Sequence, residues 1–363
     1  MTDPHSGPLA GIRIVEFDAI GPVPLAGMIL SDLGAEIVRI GRPGMTARVN
    51  AAGNAILMRG RKTTELDLKD PAQRDKALDL IAQADAVMEG QRPGVMERLG
   101  LGPEDCLARN PKLVYGRMTG WGQEGPLSQS AGHDIDYIAI TGALGSMGRK
   151  GQPPFPPLNL VGDYGGGTMF LIMGMLAAIL SAKNTGKGQV VDAAMTDGAA
   201  ILMSMFYAFH DVGTWKAERE SNLLDGGMPF YRCYETADGK YMAVGCLEPQ
   251  FYAEFLDKLE LNADDFPQHD PANWPKQAEA FGAKFKSRSR DEWAAHFEGS
   301  DACVAAVLDI SEAPKHPHNV ARKTFDEHDG VLHPMPAPRF SETPAKIGER
   351  GTLTIDEALA AWG

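Results

Sequence analysis

Residues 11–40 read GIRIVEFDAIGPVPLAGMILSDLGAEIVRI, and this stretch decides the fold. Residues 11–17 and 36–40 are rich in β-branched and apolar side chains, which is typical of buried strands. Between them, Pro22 and Pro24 suit the first turn of a helix, and Gly34 suits its end. A strand, a helix and a strand in this order form a βαβ unit, and such units predict a parallel sheet.

The alternation of strands and helices continues through the first third of the chain. Strand-like segments at 64–68, 86–88 and 113–118 alternate with helices that begin near Pro71 and Pro103. The predicted fold class is therefore α/β, with a Rossmann-like large domain built on a parallel sheet. The first βα turn lacks the GxGxxG pattern, so a nicotinamide cofactor is not predicted.

The pattern of predicted secondary structure changes after residue 225. Asp238-Gly239 separates two apolar runs, which indicates a β-hairpin. A smaller α+β domain is predicted from this region. We place the large domain at 1–200 and 330–363, the small domain at 225–325, and a linker helix region at 201–224.

The net charge excludes one class of partner. The 363 residues include 35 Lys and Arg against 48 Asp and Glu, which gives −13 at pH 7. Nucleic-acid binders usually carry a basic excess, so no nucleic-acid partner is expected. The apolar run 168–180 has only about two-thirds of the length of a membrane span, so no membrane partner is expected either.

The cellular compartment is predicted from the N-terminus and from the cysteines. The first residues show no basic region followed by an apolar core, so no signal peptide is expected. The four cysteines lie far apart and form no CxxC pair, which favours a reducing compartment. We therefore expect a cytoplasmic protein.

The bases of residues 37–64 form a basic segment, because no acid interrupts them. Its members are Arg39, Arg42, Arg48, Arg59, Arg61 and Lys62. Arginine forks match phosphate oxygens, so the segment is a candidate docking surface for a phosphorylated ligand, which Arg92 and Arg98 could extend. The alternative is a loop whose bases form ion pairs within the protein. Spacing alone leaves both interpretations open.

Two sites are candidates for proton transfer. His133 lies beside carboxylates and follows a glycine-rich loop, so it could act as a general base or simply belong to a helix cap. Asp163 precedes three glycines, residues 165–167, and opens an apolar helix. Glycine is unfavourable inside a helix, so these glycines indicate close approach of a ligand or of another helix. Asp163 could otherwise be only an N-cap.

Two further parts of the sequence are weaker candidates for a functional site. Glu248 stands between the hairpin and a helix start at Pro249, where a capping role is the simpler interpretation. His316 and His318 lack a third ligand at a suitable spacing, so no metal site is predicted.

Taken in order, these motifs resemble one known family over about residues 9–340. The matching segments are Glu16-Phe17, Gly41-Arg42-Pro43-Gly44, Leu66-Asp67-Leu68-Lys69, Arg92-Pro93-Gly94, Gly132-His133-Asp134, Pro157-Leu158-Asn159-Leu160, Gly162-Asp163, Gly186-Lys187-Gly188-Gln189 and Asp225-Gly226-Gly227. The sequence resembles the α-methylacyl-CoA racemases of the family III CoA-transferase superfamily. Singly the motifs are weak, but in this order they are specific.

The resemblance implies an isomerase that interconverts (R)- and (S)-2-methylacyl-CoA thioesters in fatty acid and lipid metabolism. His133 would be one base and Asp163 the other, with Glu248 paired to the histidine. The implied CoA and substrate contacts are Arg42, Leu66, Asp67, Leu68, Lys69, Arg92, Arg98, Gly132, Asp134, Ile135, Asp136 and Tyr137. It also implies an interlocked homodimer, in which Glu248 could come from the partner chain, and no cofactor beyond the CoA of the substrate.

Proton chemistry agrees with this interpretation. Racemisation needs two groups on opposite faces of a planar intermediate, one protonated and one not. Ordinary pKa values of about 6.5 for His and 3.9 for Asp meet that need near neutral pH. The enolate needs hydrogen-bond donors, for which the backbone N–H groups of 132–134 and of the glycines after Asp163 are candidates. The family often has Asn where this chain has Asp136.

Two other functions stay open on the sequence. A CoA-transferase of the same superfamily would use a carboxylate nucleophile, and Asp134 could serve. A non-catalytic CoA-ester binding protein would keep the basic segment and need neither base.

Overall fold

Seven parallel strands form the central sheet of the first of two units in the computed structural model, which describes residues 7–45 and 55–363. The strands are β1 (Arg13–Phe17), β2 (Glu36–Gly41), β3 (Lys62–Glu65), β4 (Ala86–Glu89), β5 (Val114–Thr119), β6 (Gln189–Ala194) and β12 (Gly351–Thr352). Their order across the sheet is β12-β3-β2-β1-β4-β5-β6. The order 3-2-1-4-5-6 is that of doubly wound sheets, so the predicted α/β, Rossmann-like class is confirmed.

Helices cover both faces of this sheet. They are α1 (Pro22–Asp32), α2 (Pro71–Ile81), α3 (Val95–Arg98), α4 (Pro103–Arg109), α5 (Asp134–Ala139), a π-helix (Leu160–Thr168), α6 (Met169–Thr185), α7 (Met195–Leu202) and α13 (Ile355–Trp362). Helix α8 (Ser204–Asp211) follows α7 and belongs, from Met205 on, to the second unit. Two predicted helix starts are confirmed. Pro22 and Pro24 lie in the first turn of α1, and at the start of α2 the side chain of Asp70 accepts the N–H of Ala72 at 2.9 Å. Gly34, with φ of 100°, follows α1.

Successive side chains along each strand point to opposite faces of the sheet, which divides the core of this unit into two layers. In β1, Ile14 faces the layer that contains α1 and α6, while its neighbour Val15 faces the layer that contains α2, α4 and α13. Both side chains are fully buried. Burial on both faces explains why the strands read as continuous apolar runs.

The apolar helix in the middle of the chain is longer than the sequence suggests. The π-helix and α6 form one helical run, Leu160–Thr185, of 26 residues. By length and composition this run could cross a membrane, so the argument from the short segment 168–180 is wrong. Half of the most apolar part of this helical run is buried inside the protein, where α6 packs against β5 and β6. A buried core helix passes the same test, and the absence of a membrane partner stays a prediction.

The second unit is built around the predicted hairpin. Strands β7 (Tyr231–Glu235) and β8 (Tyr241–Gly245) pair antiparallel, and β9 (Val304–Ala306) adds a third strand. Gly239 has φ of 72°, as the turn requires. Helices α9 (Pro249–Lys258), α10 (Trp274–Phe285) and α11 (Arg290–Phe297) complete an aromatic core that includes Phe230, Tyr252, Phe255, Phe281, Phe285 and Trp293.

Each of the two units is assembled from separate stretches of the chain. The first unit comprises residues up to 143, 157–204 and 321–363, and the second comprises 144–156 and 205–320. The region predicted as a linker thus belongs mainly to the second unit. Hydrogen bonds give the reason, because Arg149 Nη1 donates to Glu220 Oε1 at 2.6 Å and Arg219 Nη2 donates to the carbonyl of Gln152 at 2.6 Å.

The chain returns to the first unit through its last short elements. These are α12 (Pro317–Ala321), at the boundary, and the hairpin of β10 (Phe325–His328) and β11 (Val331–Pro334). After them, β12 pairs parallel with β3 and leads into α13, which the side chain of Thr354 caps.

Candidate active site

The candidate site lies where the direction of strand order changes. In doubly wound sheets, ligands bind beyond the carboxyl ends of the strands at this point, which here falls between β1 and β4. Residues 18–21 follow β1, and an added Cβ on Gly21 would lie 3.1 Å from Asp163 Oδ2. The turn after β4 contacts the loop after β5, since Gln129 Nε2 donates to the carbonyl of Pro93 at 3.2 Å. These contacts bring Asp163 and the loop of His133 to one edge.

His133 is the N-cap residue of α5, and its side chain is exposed. Its backbone N–H donates to Asp136 Oδ2 at 2.9 Å, and the N–H of Asp136 donates to its carbonyl at 2.8 Å. The carboxylate of Asp136 therefore caps the helix. The exposed side chain of His133 is accessible to a ligand.

Asp163 lies inside the π-helix and is half-buried. Its N–H donates to Asp134 Oδ2 at 2.7 Å, and its Oδ2 accepts from Asn159 Nδ2 at 3.2 Å. Burial raises the pKa of the Asp163 carboxyl; the hydrogen bond from Asn159 and the charge of His133 oppose this, while the charge of Asp134 adds to it. The structure thus brings the two predicted bases within range of each other's charge. A raised carboxyl pKa suits a group that must both accept and return a proton.

The glycines after Asp163 serve the approach of a helix. An added Cβ on Gly166 would lie 2.7 Å from the backbone nitrogen of Ala199 in α7. One on Gly198 would lie 1.9 Å from the carbonyl oxygen of Gly166. Of the two predicted causes, close helix packing is the one observed here, and the N–H groups of these glycines lie within a packed π-helix.

Asp134 is the site residue whose role the sequence missed. It is 7% exposed, and besides its bond to the Asp163 N–H it leaves Oδ1 without a hydrogen-bond partner in the described part of the chain. A buried carboxylate held in this way is poorly placed to act as a transferase nucleophile. Asp134 and Asp163 stand 29 positions apart in the sequence, and no spacing pattern predicts their contact.

Asp134→Asn is expected to move the acid limb of the pH–rate profile to lower pH. The negative charge of Asp134 raises the pKa of Asp163, and the asparagine amide removes that charge while it can still accept the Asp163 N–H. The ionised form of Asp163 then persists to lower pH. The check is kcat/KM measured from pH 4 to 9; an acid limb that stays in place or moves upward contradicts the assignment.

Tyr137 and Gly132 support the His133 loop from within. The Tyr137 hydroxyl donates to the carbonyl of Gly132, and its ring packs edge-on against Trp121 with centroids 4.8 Å apart. Burial raises the pKa of Tyr137, the charge of Asp163 adds to this, and the charge of Arg92 opposes it. Ile135, by contrast, is 44% exposed.

Half of the basic segment is buried in ion pairs, so the docking-surface prediction is wrong for those residues. Arg61 Nη1 donates to both carboxylate oxygens of Glu16, at 2.8 and 2.7 Å. Arg39 pairs with Asp18 and, at 3.4 Å, with Glu16. The remaining buried member, Arg59, donates through Nε to Asp32 at 3.0 Å. Arg48 lies outside the described residues.

The exposed bases are fewer than the sequence suggests. Arg42, Arg92 and Arg98 are exposed, and none forms an ion pair with another residue in the described ranges. The predicted CoA contacts Leu66, Asp67, Leu68 and Lys69 form the turn between β3 and α2, where only Leu66 is buried and Asp67 Oδ1 accepts the N–H of Lys69 at 3.0 Å. Beside this turn a groove of about 790 Å³ is lined by residues that include Thr63, Leu66, Gln73, Lys76, Thr354 and Glu357.

Glu248 belongs to the second unit, where it is the exposed N-cap residue of α9. Burial and then the charge of Glu248 raise the pKa of Cys303. Its pairing with His133 stays a prediction. Among the residues that the structure describes, no group of three or more His, Cys, Asp or Glu is placed to hold a metal ion.

The sequence matches CoA-transferase family III over residues 9–351, and the chain belongs to this family. It is 44% identical to the alpha-methylacyl-CoA racemase of Mus musculus over 96% of this chain and 91% of that protein. It is 42% identical to the alpha-methylacyl-CoA racemase of Homo sapiens, over 93% of this chain and 87% of that protein. A CAIB/BAIF family protein from Brucella suis shares the fold, with a TM-score of 0.83, 23% identity and 98% of each chain covered. The predicted family is confirmed.

Proposed function

We propose that the protein interconverts (R)- and (S)-2-methylacyl-CoA thioesters by proton transfer at the α-carbon. The observation that carries the proposal is the 2.7 Å hydrogen bond from the Asp163 N–H to Asp134, the neighbour of His133, at the edge of the sheet where the strand order changes. Similarity to racemases over nearly the whole chain supports the same substrate class.

In the proposed reaction, one base takes the α-proton as the C–H bond breaks, and its electron pair moves onto the thioester oxygen to form an enolate. The other base then gives a proton to the opposite face, and the C=O bond is restored. One proton leaves and one returns, so no oxidant or reductant is needed. Asp163 and His133 alternate as base and acid for the two enantiomers.

The enolate needs hydrogen-bond donors, and the structure narrows the choice. The N–H of His133 already donates to Asp136, and that of Asp163 donates to Asp134. The N–H groups of Asp134 and Ile135, in the first turn of α5, have no acceptor in the described ranges. We assign enolate stabilisation to them.

The nucleotide end of CoA carries phosphates, and we assign these to the exposed arginines Arg42, Arg92 and Arg98, with the turn of residues 66–69 alongside. CoA is part of the substrate, and no separate cofactor is proposed. The negative charge of the whole chain argues against nucleic acid as a partner.

We further propose a homodimer in which Glu248 of the partner chain pairs with His133, and a cytoplasmic role in fatty acid metabolism. The dimer has an observation behind it, because large apolar side chains lie exposed along the middle helices, among them Met173, Leu180, Ile201, Leu202 and Met205. Sedimentation equilibrium should give a mass near twice the 39.0 kDa of one chain.

Incubation of a single enantiomer of a 2-methylacyl-CoA in deuterium oxide tests the proposal. We expect deuterium at the α-carbon together with loss of optical purity, because the returned proton comes from a base that exchanges with solvent. Mass spectrometry and chiral chromatography measure the two quantities. Transfer of CoA to an added free acid without exchange would favour a transferase, and binding without either reaction would favour a CoA-ester binding protein.

A further inference from the structure

A buried ion pair lies beneath the turn that carries Arg92. Glu89, the last residue of β4, has no exposed surface, and Arg117 of β5 is 7% exposed. The two are register partners in the parallel pair, and Arg117 Nε donates to Glu89 Oε1 at 3.2 Å. A buried ion pair contributes little net stability compared with apolar side chains. We therefore ask which parts of the backbone this pair holds in position.

The pair holds both ends of the turn at residues 90–94. Before the turn, Glu89 Oε2 accepts the N–H of Gln91 at 2.6 Å. After it, Arg117 Nη1 pairs with Glu97 Oε1 of α3 at 2.8 Å. One guanidinium therefore bridges the strand that enters the turn and the helix that leaves it. We call Glu89, Arg117 and Glu97 the clamp.

Two amide side chains fix the same turn from its flanks. Gln91 Nε2 donates to the carbonyl of Asp18 at 2.9 Å, which ties the turn to the loop after β1. Gln129 Nε2 donates to the carbonyl of Pro93, which ties it to the segment before His133. An added Cβ on Gly90 would lie 2.9 Å from the side chain of Ala19, so the backbone there has no room to shift.

The fixed turn presents two exposed cations at the point where the strand order changes. Arg92 lies within the turn and Arg98 ends α3, and neither has an ion-pair partner among the described residues. Charges left unpaired on a rigidly held turn suit an anionic ligand. Burial raises the pKa of Glu89 to about 7, while Gln91 and Arg117 oppose the rise, so the clamp is maintained against a desolvation cost.

We propose that Arg117 is a positioning residue which, through Glu89 and Glu97, aims Arg92 and Arg98 at the phosphates of the CoA moiety. The inference rests on the proposed function for the identity of the ligand. It predicts that loosening the clamp weakens recognition of the nucleotide end and leaves proton transfer at the α-carbon unchanged, because Arg117 touches neither His133 nor Asp163.

Glu97→Gln and Arg117→Met test this on two substrates, a 2-methylacyl-CoA and the matching 2-methylacyl-pantetheine, which lacks the nucleotide phosphates. We expect KM for the CoA ester to rise roughly three- to tenfold with kcat little changed, and KM for the pantetheine ester to stay the same. Arg117→Lys should fall between wild type and Arg117→Met, since one ammonium cannot bridge both carboxylates as the fork does. The side chain of Glu97 is 44% exposed, so Glu97→Gln leaves the buried pair intact.

Asp79→Asn is the matched control, because it breaks the exposed pair of Asp79 and Arg109 at 3.0 Å on the same unit, away from the turn. It should change neither KM. Equal losses on both esters, or an unchanged KM for the CoA ester in Arg117→Met, would overturn the clamp. If the wild-type protein racemises neither ester, the proposed function fails separately, and calorimetric binding of free CoA and of pantetheine to the same variants then decides the clamp.

Discussion

His133→Ala and Asp163→Ala should each lower the rate of racemisation by about 10²–10⁴-fold, because each removes one of two proton-transfer groups. The sharper expectation concerns deuterium exchange. With one base missing, the remaining base can still take and return the proton on its own face. Each variant should therefore label one enantiomer without inverting it, and the two variants should label opposite enantiomers.

Chiral separation of the labelled ester, followed by mass spectrometry, measures this outcome. His318→Ala is the control, since His318 is exposed in the second unit and has no assigned role. Binding of free CoA should persist in both active-site variants, because we assign the phosphate contacts to other residues. Labelling of the same enantiomer by both variants, or racemisation at the wild-type rate in either, would contradict the assignment of the two bases.

Arg61→Met should lower the free energy of unfolding of the first unit by about 3–5 kcal/mol. The Arg61 side chain is 1% exposed and Glu16 is fully buried. The substitution therefore leaves a carboxylate in the core with Arg39 as its remaining ion-pair partner among the described residues. Burial raises the pKa of Glu16, and Arg61 and Arg39 oppose that rise. A carboxyl pKa that is raised in the folded state favours folding as pH falls, so the deficit should shrink toward acid pH.

Urea unfolding followed by far-ultraviolet circular dichroism, at pH 8 and pH 5, measures the deficit. Arg42→Ala is the matched control, because Arg42 is an exposed base of the same segment and its loss should change stability by less than about 0.5 kcal/mol. The double variant Glu16→Gln with Arg61→Met should recover much of the loss, since it leaves no unpaired charge. Equal stability of Arg61→Met and wild type would show that the pair is not buried.

The pattern of residues 11–40 predicted the parallel sheet correctly because hydrophobic period and helix-end residues are local signals. For the basic segment, spacing could not decide between a docking surface and internal ion pairs, for the opposite reason. Arg39, Arg59 and Arg61 look like a free cluster, since their partners Glu16, Asp18 and Asp32 lie earlier in the chain. Local charge does not distinguish an exposed base from a buried one.

The candidate site shows the same limit. His133 and Asp163 could be named from the sequence, since family motifs surround both. The hydrogen bond from the Asp163 N–H to Asp134 could not, because it depends on a π-helix that meets α5 across 29 residues. The clamp could not be predicted from the sequence either, since Glu89 and Arg117 become neighbours only through the register of β4 and β5.

The parallel pairing of β12 with β3 has a consequence for synthesis. The edge of β3 acquires its neighbour only when residues 351–352 have left the ribosome, after the whole second unit. At 5–20 residues per second, the interval from Glu65 to Gly351 is roughly 15–60 s. During that time the nascent chain carries an open strand edge, a known template for association. Premature termination before β12 would make that exposure permanent.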